Sequence, residues 1–339
     1  MLFRKAGKSQ VSGTARSVFV ATAPFSIEPQ FVERVWGWRD LHPWYNRQAD
    51  VQSIGEVWLT GDDCKVASGP LAGGLLKDVF KDAPEAMLGK GAPSADSPLL
   101  IKVIFAREKL SVQVHPDDRL ARKYGQPRGK TECWYALDAE PSAQVALGLT
   151  PETTMSRVKS GIEDGTLEQS LEMVPVRAGD MIYVDAGTVH AIWPGSVLLE
   201  TQQNSDITYR LYDYGRGREL HIEKSLEAMR LTTGAGKISP KALSDRTILV
   251  DADYFRVERI PVAVSRSSST LPSKEESVSG LSYLFAAGGS GRITSPSFGT
   301  VDLPPRGIVA VPAVSPVFAI QDLGGLDLIR ISPRWPGRA

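Results

Sequence analysis

The sequence predicts a mainly β protein, and two patterns carry that prediction. The stretch from residue 110 to 118 opens with apolar and polar side chains in alternation, which is typical of a strand with two different faces. After residue 233, short strand-like segments recur between clusters of Ser, Gly and Pro, as at residues 255–260, 281–286 and 307–311. Short strands at even spacing with turn residues between them indicate a barrel or a jelly roll.

The remaining strands follow from the same reasoning. Residues 54–59 alternate in polarity, whereas residues 98–105 are almost continuously apolar and predict a strand that is buried on both faces. Further strands are predicted at residues 17–21, 24–27, 132–137 and 144–149, and repeatedly between residues 174 and 209.

Helices are expected only as insertions between strands. Residues 69–97 are rich in Gly, Ala and Pro and predict loops with short helical pieces. Thr150 and Pro151 form a good N-cap and first helical position, which predicts a helix that continues, with a break near Gly165, to about residue 173. Short helices are also predicted at residues 117–124 and 226–231, and a linker at residues 234–237.

Length and composition limit the domain organisation. A chain of 339 residues is longer than one compact core usually needs, so we expect two unequal parts. We assign residues 1–16 to a flexible tail, residues 17–232 to a large domain with helical insertions, and residues 233–339 to a smaller β-rich lobe. The lobe has no histidine, so we expect no metal chemistry there.

Charge and cysteine content limit the partners. Lys plus Arg equals Asp plus Glu at 39 each, so the chain has no net field that would recruit nucleic acid or an anionic membrane. Cys64 and Cys133 predict reduced thiols in a cytoplasmic protein, although one disulfide between them stays open. The basic N-terminal segment loosely resembles a transit peptide in composition, but a flexible tail that runs into a first strand is the simpler interpretation and the one we adopt.

Three predicted strands carry side chains suited to one metal ion. Ser111, Gln113 and His115 leave the same face of the alternating stretch, and Lys130 and Glu132 share a face of the next strand. His190 follows a glycine turn in a predicted hairpin. Two imidazoles, one carboxylate and one amide suit Zn²⁺ with room for substrate, although ligand type alone also admits Mn²⁺, Fe²⁺, Co²⁺ or Ni²⁺. For each histidine taken singly, a purely structural role is the simpler interpretation.

Five motifs that appear in a fixed order resemble the class I mannose-6-phosphate isomerases in their shorter bacterial form. The motifs are PLLIK (98–102), LSVQVHPDD (110–118), GKTECWY (129–135), AGTVHAI (186–192) and ETQQNSDITYRLYDY (200–214). Two departures from the family pattern are Asp185, where a proline is usual, and Trp36-Gly37-Trp38 in place of Trp-Gly-Gly.

The resemblance implies a cupin-type barrel that holds one zinc ion through Gln113, His115, Glu132 and His190. It also implies interconversion of mannose 6-phosphate and fructose 6-phosphate, a small-molecule sugar phosphate being the partner. The catalytic residues implied are Arg210, Lys130, Glu200 and Asp206, and the substrate-binding residues are Ser111, Lys130 and Arg210.

Isomerisation of an aldose to a ketose explains why these residue types occur together. A proton must move between adjacent carbons through an enediol, which requires a positioned base and positive charge near the neighbouring oxygens. Lys130 and Glu200 are both candidates for the base, and the sequence does not choose between them. Arg216, Arg218 and Lys224 are candidates for a phosphate contact, but a solvated loop explains them equally well.

Several other interpretations stay open at this point. Arg210 could pair with Asp206 or Asp213 along a strand, and Lys130 with Glu132 could be a surface ion pair of little energetic value. A non-catalytic cupin that binds a sugar or sugar phosphate is one alternative function. Another metal-dependent cupin enzyme, such as an oxygenase, is a second.

Overall fold

The structure is a computed structural model that describes residues 23–49, 51–262, 273–276 and 280–336. The predicted tail at residues 1–16 and the predicted strand at residues 17–21 lie outside the described residues. In the described part, strands dominate, as the sequence predicts. They are β1 (Phe25–Ser26), β2 (Gln30–Trp38), β3 (Ile54–Trp58), β4 (Leu99–Phe105), β5 (Val112–Val114), β6 (Glu132–Ala139), β7 (Gln144–Leu149), β8 (Leu171–Pro175), β9 (Met181–Val184), β10 (His190–Ile192), β11 (Ser196–Gln203), β12 (Tyr209–Tyr212), β13 (Gly236–Ile238), β14 (Lys241–Ala242), β15 (Thr247–Asp251), β16 (Phe255–Ile260), β17 (Ser273–Glu276), β18 (Ser282–Gly288), β19 (Gly291–Ser295), β20 (Gly299–Leu303), β21 (Ile308–Val311), β22 (Phe318–Asp322) and β23 (Asp327–Pro333).

The helices are short and lie between strands. They are α1 (Leu76–Asp82), α2 (Pro84–Leu88), α3 (Asp118–Lys123), α4 (Met155–Glu163) and α5 (Ile222–Ala228), with one 3₁₀ turn (Leu167–Ser170). None of the helices in the described ranges is long and apolar enough to cross a membrane.

The strands pair antiparallel in four sheets. The orders are β13-β9-β6-β11-β4-β3-β2 and β12-β5-β10-β7-β8 in the N-terminal part, and β1-β21-β18-β23-β16-β15-β14 and β17-β22-β19-β20 in the C-terminal part. We call the first the large sheet and the second the small sheet. Two β sheets packed face to face are the arrangement of a jelly-roll barrel, so the mainly β, cupin-type fold that the sequence predicts is confirmed.

Strand β4 shows why the large sheet is apolar on both sides. Leu99, Ile101, Val103 and Phe105 point to a core shared with Phe255 and other residues of the C-terminal sheets. The alternate positions of β4 face the small sheet, and the fully buried strand is the one that the continuous apolar pattern predicts. At the centre of this inner face stands a buried lysine, Lys102.

The small sheet has an apolar outer face and an inner face that is polar along β5 but apolar where β7 and β10 pack against the large sheet. Val112 and Val114 of β5 pack outward with Val158 of α4 and Ala228 of α5. The helices thus cover the side of the small sheet that faces away from the large sheet. The period of two then turns the polar side chains of the alternating stretch inward.

Each part of the chain contributes one strand to a sheet of the other part. β1 pairs with β21 in a C-terminal sheet, and β13 pairs with β9 at the edge of the large sheet. Residues 234–237, predicted as a linker, therefore include the start of a strand. The division at residue 233 stays a prediction.

Two helices start four residues away from their predicted first residues, one later and one earlier. Thr150 and Thr153 close a turn, with the Thr153 amide donating to the Thr150 carbonyl and the two hydroxyls 2.8 Å apart, and α4 begins only after the N-cap Thr154. The 3₁₀ turn ends at Ser170 and β8 follows, where the sequence predicts helix to about residue 173. Helix α5 likewise starts before the predicted residue 226 and ends at Ala228.

Candidate functional site

A cleft of about 450 Å³ opens between the inner faces of the large and small sheets. The large sheet contributes acidic and basic side chains, and the small sheet contributes polar ones. Its functional lining includes Glu56, Lys102, Glu200, Ser111, Gln113 and Arg210. The predicted site residues Lys130 and Asp206 also line the cleft.

The strand register of the small sheet sets three of these side chains in a row. Arg210 of β12 lies directly opposite Gln113 of β5, and Gln113 lies opposite His190 of β10. Directly opposite residues point to the same face of a sheet, so the three side chains all face the large sheet, and Gln113 and Arg210 line the cleft. Ser111 and His115 flank Gln113 at a spacing of two and share this face, as the alternation predicts.

The large sheet sets a second row opposite the first. Glu200 of β11 lies between Lys102 of β4 and Trp134 of β6. Glu132 lies two residues before Trp134 on the same strand, so it points to the same face. The two rows meet where His190 packs against Trp134, with ring centroids 5.6 Å apart.

His115, Glu132 and His190 converge at the buried end of the site. Their ligand atoms all lie within 4.8 Å of one another. The Nε2 atoms of the two histidines are each 3.5 Å from a carboxylate oxygen of Glu132, His115 from Oε2 and His190 from Oε1. The Gln113 amide lies 3.2 Å from His190 Nε2. The structure thus brings all four predicted metal ligands together.

The chemistry of these donors fits a divalent cation. His190 Nδ1 donates to the Thr188 carbonyl at 2.9 Å, which leaves the Nε2 lone pair toward Glu132. His115 Nε2 accepts from Lys130 Nζ at 3.0 Å and also has its lone pair on this side. Burial lowers the pKa of His190 to about 4 and the pKa of His115 well below its usual value, so both rings are neutral, as metal ligands must be.

Glu132 lacks the partners that a buried carboxylate needs. Neither of its oxygens accepts a well-directed hydrogen bond from a described residue, although Lys130 Nζ lies 3.2 Å from Oε2. Burial, together with the nearby charge of Glu200, raises the pKa of Glu132. A cation between Glu132 and the two imidazoles would compensate this desolvated charge.

Lys130 is buried, and its ammonium group lies between His115 and Glu132. The interpretation of Lys130 and Glu132 as a surface ion pair is therefore wrong. Their 3.2 Å contact agrees with the predicted placement of both side chains on one side, although β6 begins only at Glu132, two residues after Lys130.

Glu200 and Lys102 form a buried ion pair beside the metal-ligand cluster. Lys102 Nζ lies 2.7 Å from Glu200 Oε2, and Trp134 Nε1 donates to Oε1 at 2.9 Å. Burial opposes ionisation of Glu200, but Lys102 and Lys130 outweigh it and lower the pKa of this carboxyl. Glu200 is thus an ionised carboxylate that lines the cleft.

The sequence reasoning assigned no role to Lys102 or to its second partner, Glu56. Lys102 Nζ also lies 3.5 Å from Glu56 Oε1, and Arg34 forms an ion pair with Glu56 at 2.9 Å. Arg34, Glu56, Lys102 and Glu200 thus form a row of alternating charges along the cleft. Burial disfavours the charge of Lys102, yet the two carboxylates raise its pKa above the usual value. A lone lysine in an otherwise apolar strand was the available signal, since such a charge must have partners.

Arg210 contacts the substrate-binding candidate Ser111 rather than a carboxylate. Its Nε donates to Ser111 Oγ at 3.3 Å, and its Nη1 donates to the Glu219 carbonyl at 2.8 Å. The proposed pairing of Arg210 with Asp206 or Asp213 is wrong, because no ion pair with either is present among the described residues. Asp206 is exposed and lines the cleft from the loop before β12.

The departure from the family pattern at Asp185 has a structural explanation. Asp185 Oδ1 accepts from Thr188 Oγ1 at 2.8 Å, and its Oδ2 accepts from the Gly234 amide at 3.1 Å. Gly187 takes a positive φ of 94° in this turn, a conformation that glycine adopts without strain. The side-chain hydrogen bonds of Asp185 thus stiffen the turn that presents His190.

The other two histidines lie away from the metal-ligand cluster. His42 is exposed and contacts Asp40 and Asn46, and the ring of His221 packs near Tyr209. These contacts agree with structural roles for both rings.

A family model and two relatives of known name all match the chain to the same family. Residues 25–160 match the family model described as phosphomannose isomerase type I, catalytic domain. The chain is 33% identical over 288 residues to mannose-6-phosphate isomerase of Streptococcus mutans, covering 80% of this chain and 87% of the relative. It is 35% identical over 264 residues to mannose-6-phosphate isomerase ManA of Bacillus subtilis, covering 73% and 82% respectively.

A solved structure supports the same relationship. The crystal structure of the mannose 6-phosphate isomerase from Bacillus subtilis superimposes with a TM-score of 0.80 at 30% sequence identity. The superposition covers 91% of this chain and 99% of the crystal structure's chain.

Proposed function

The chain belongs to the type I phosphomannose isomerases, and from this we propose that it interconverts mannose 6-phosphate and fructose 6-phosphate through an enediol with the help of one bound metal ion. The observation that carries the proposal is the shared cleft. Gln113 of the metal-ligand cluster, the Lys102–Glu200 pair and Arg210 line the space in which a sugar phosphate would bind, and His115, Glu132 and His190 lie buried behind Gln113.

We propose zinc as the resident ion, held by Gln113, His115, Glu132 and His190. Two neutral imidazoles, a carboxylate and an amide are nitrogen and oxygen donors that zinc accepts. The bound ion would act as a Lewis acid toward substrate oxygens.

Glu200 is our candidate for the group that moves the proton. Its carboxylate is ionised and lines the cleft, whereas Lys130 Nζ lies inside the metal-ligand cluster, 3.2 Å from Glu132 Oε2 and 3.0 Å from His115 Nε2. Glu200 would take the proton from C2 of the open-chain mannose 6-phosphate while the electron pair forms the C1–C2 double bond of the enediol. Return of the proton to C1, with a proton passing from O2 to O1, gives fructose 6-phosphate.

The cationic residues around Glu200 support the charge that develops on the substrate. Lys130 and Arg210 border the cleft on either side of Gln113 and would stabilise negative charge on the oxygens of the enediol. Ser111, which accepts a hydrogen bond from Arg210, orients that guanidinium and can contact the substrate. Asp206 presents a carboxylate at the mouth, where it can exchange a proton with a sugar hydroxyl.

The free, buried thiols of Cys64 and Cys133 support a reducing compartment, and we propose the cytoplasm. Both cysteines lie in the core and away from the cleft lining, so neither has a part in the proposed chemistry.

A coupled assay tests the activity. Fructose 6-phosphate formation should be lost after chelation and restored by zinc, and elemental analysis should find about one equivalent of metal per chain. Metal-replete protein that does not isomerise mannose 6-phosphate would refute the function and favour a binding protein or a different cupin enzyme.

Isotope exchange tests the enediol separately. In D₂O, deuterium should enter the sugar at the carbon that receives the returned proton, because the base exchanges with solvent. Turnover with no deuterium incorporation would instead indicate direct hydride transfer between C2 and C1.

A further inference from the structure

The cationic groups of the cleft fall into two classes. Arg34 pairs with Glu56, Lys102 with Glu200, and Lys130 with Glu132, so carboxylates of the large sheet and its neighbours neutralise these three. The other two basic residues of the lining, Arg210 and Arg218, lie on the side of the small sheet.

Arg210 faces the cleft and makes no ion pair with a carboxylate of the described residues, although the charges of Asp213 and Glu219 act on it. Its two hydrogen bonds go to the Ser111 hydroxyl and the Glu219 carbonyl, both uncharged acceptors. Burial, and then the positive charge of Arg218, lower the pKa of Arg210. Arg210 and Arg218 both line the cleft, so one bound anion can face both guanidinium groups.

Arg218 is fixed in place by the turn that follows β12. Its Nε and Nη2 donate to the two oxygens of the buried Asp213, at 2.7 and 2.5 Å. This bidentate contact leaves Nη1 without a hydrogen-bond partner among the described residues. A rigid guanidinium with a free edge on a cleft is suited to bind an oxyanion.

The other two basic residues considered for phosphate have different surroundings. Arg216 donates to the Lys109 carbonyl and lies over the ring of Tyr214, 5.1 Å from its centroid. Lys224 lies 5.1 Å from the ring centroid of Tyr124. Neither borders the cleft, so the structure separates Arg218 from its sequence neighbours.

We infer that Arg218, acting with Arg210, binds the phosphate group of the substrate and gives the cleft its preference for phosphorylated sugars. The inference rests on the proposed function. A phosphate bound there would place negative charge beside two cationic residues of the same lining. It would also place the phosphate at the opposite side of the cleft from the paired charges of Lys102 and Glu200, toward which the sugar carbons extend.

Substitution of Arg218 by glutamine tests the inference, with Arg216→Gln as the matched control on the same turn. In metal-replete enzyme, we expect R218Q to raise KM for mannose 6-phosphate and the inhibition constant of inorganic phosphate roughly 10- to 100-fold, the value of a charge-assisted hydrogen bond. The kcat should change little, because the proton-transfer groups are untouched. R216Q should leave all three constants close to those of the wild type.

A second variant separates a phosphate contact from damage to the turn. R218Q leaves the buried Asp213 with only the longer 3.6 Å contact to Arg216, whereas D213N/R218Q removes both charges of the Asp213–Arg218 pair. The double variant should be at least as stable as R218Q and lose phosphate inhibition to the same extent. Wild-type inhibition by phosphate in either Arg218 variant, or an equal loss in R216Q, would overturn the inference.

Direct binding distinguishes this result from failure of the proposed function. Calorimetric titration of the wild type and of R218Q with inorganic phosphate needs no turnover. If the wild type binds phosphate through Arg218 but does not isomerise mannose 6-phosphate, the anion site stands and the isomerase proposal fails. If the wild type isomerises the sugar but R218Q binds phosphate equally well, only the assignment of Arg218 fails.

Discussion

Replacement of Lys102 by methionine should destabilise the protein strongly, even though it introduces an apolar side chain into an apolar strand. Lys102 Nζ lies 2.7 Å from Glu200 Oε2 and 3.5 Å from Glu56 Oε1, and the side chains of Lys102 and Glu200 are only 5% and 4% exposed. Methionine keeps the length and much of the volume of the side chain but removes the charge. Two buried carboxylates then lose a shared partner.

The structure indicates the size of the effect. Loss of one partner from a buried ion pair costs about 3–5 kcal/mol, because the remaining charge stays desolvated. Glu56 keeps Arg34 at 2.9 Å, so most of the cost arises at Glu200. With a urea m-value of about 3 kcal/mol/M, the midpoint of unfolding should fall by about 1 to 1.7 M.

A double-mutant cycle in urea provides the assay. Equilibrium unfolding is followed by tryptophan fluorescence for the wild type, K102M, E200Q and K102M/E200Q in metal-saturated buffer. The double variant removes both charges and should recover most of the stability that K102M loses. The prediction fails if K102M lowers the unfolding free energy by less than about 0.5 kcal/mol, or if the double variant is less stable than K102M. Either result would show that Lys102 does not stabilise the buried charge of Glu200.

Three other predictions follow from the site. Arg210→Ala should keep the metal but lower kcat by about 10² to 10³, because it removes a preorganised cationic donor, and a variant with full activity would exclude Arg210 from the mechanism. Glu200→Gln should lower kcat by about 10² to 10⁴ and abolish deuterium exchange, whereas Lys130→Met should keep exchange at a reduced rate; the reverse pattern would make Lys130 the base. The stabilising effect of Glu200 should depend on pH. Its pKa in the folded protein is lowered to about 2 from 4.5, so its contribution is complete above about pH 4.5 and is lost as the pH falls toward about 2. The difference in unfolding free energy between the wild type and E200Q should therefore shrink by about 1.4 kcal/mol per pH unit below pH 4.5, and a difference that stays constant down to about pH 3 would contradict this.

The strands and one face of the site were predictable because their signals are local. The period of two in residues 110–118 placed Ser111, Gln113 and His115 on one face, and the structure has Val112 and Val114 packed on the other. The continuous apolar run predicted a fully buried β4. Turn chemistry was less reliable, since the Thr150–Thr153 turn used the residues that local preference assigned to a helix start.

By itself, the sequence determined the mainly β architecture, the family resemblance and the identity of the candidate metal ligands, because these depend on periodicity and on motifs within short segments. Only the tertiary structure decided which charges meet. Glu200 lies 98 positions after Lys102 in the chain, and the antiparallel register of β4 and β11 makes them direct neighbours. Tertiary structure likewise decided that Arg218 lines the cleft while Asp213 accepts hydrogen bonds from its Nε and Nη2. Register and packing are non-local, and the energetic balance of a buried charge depends on partners that no single segment contains.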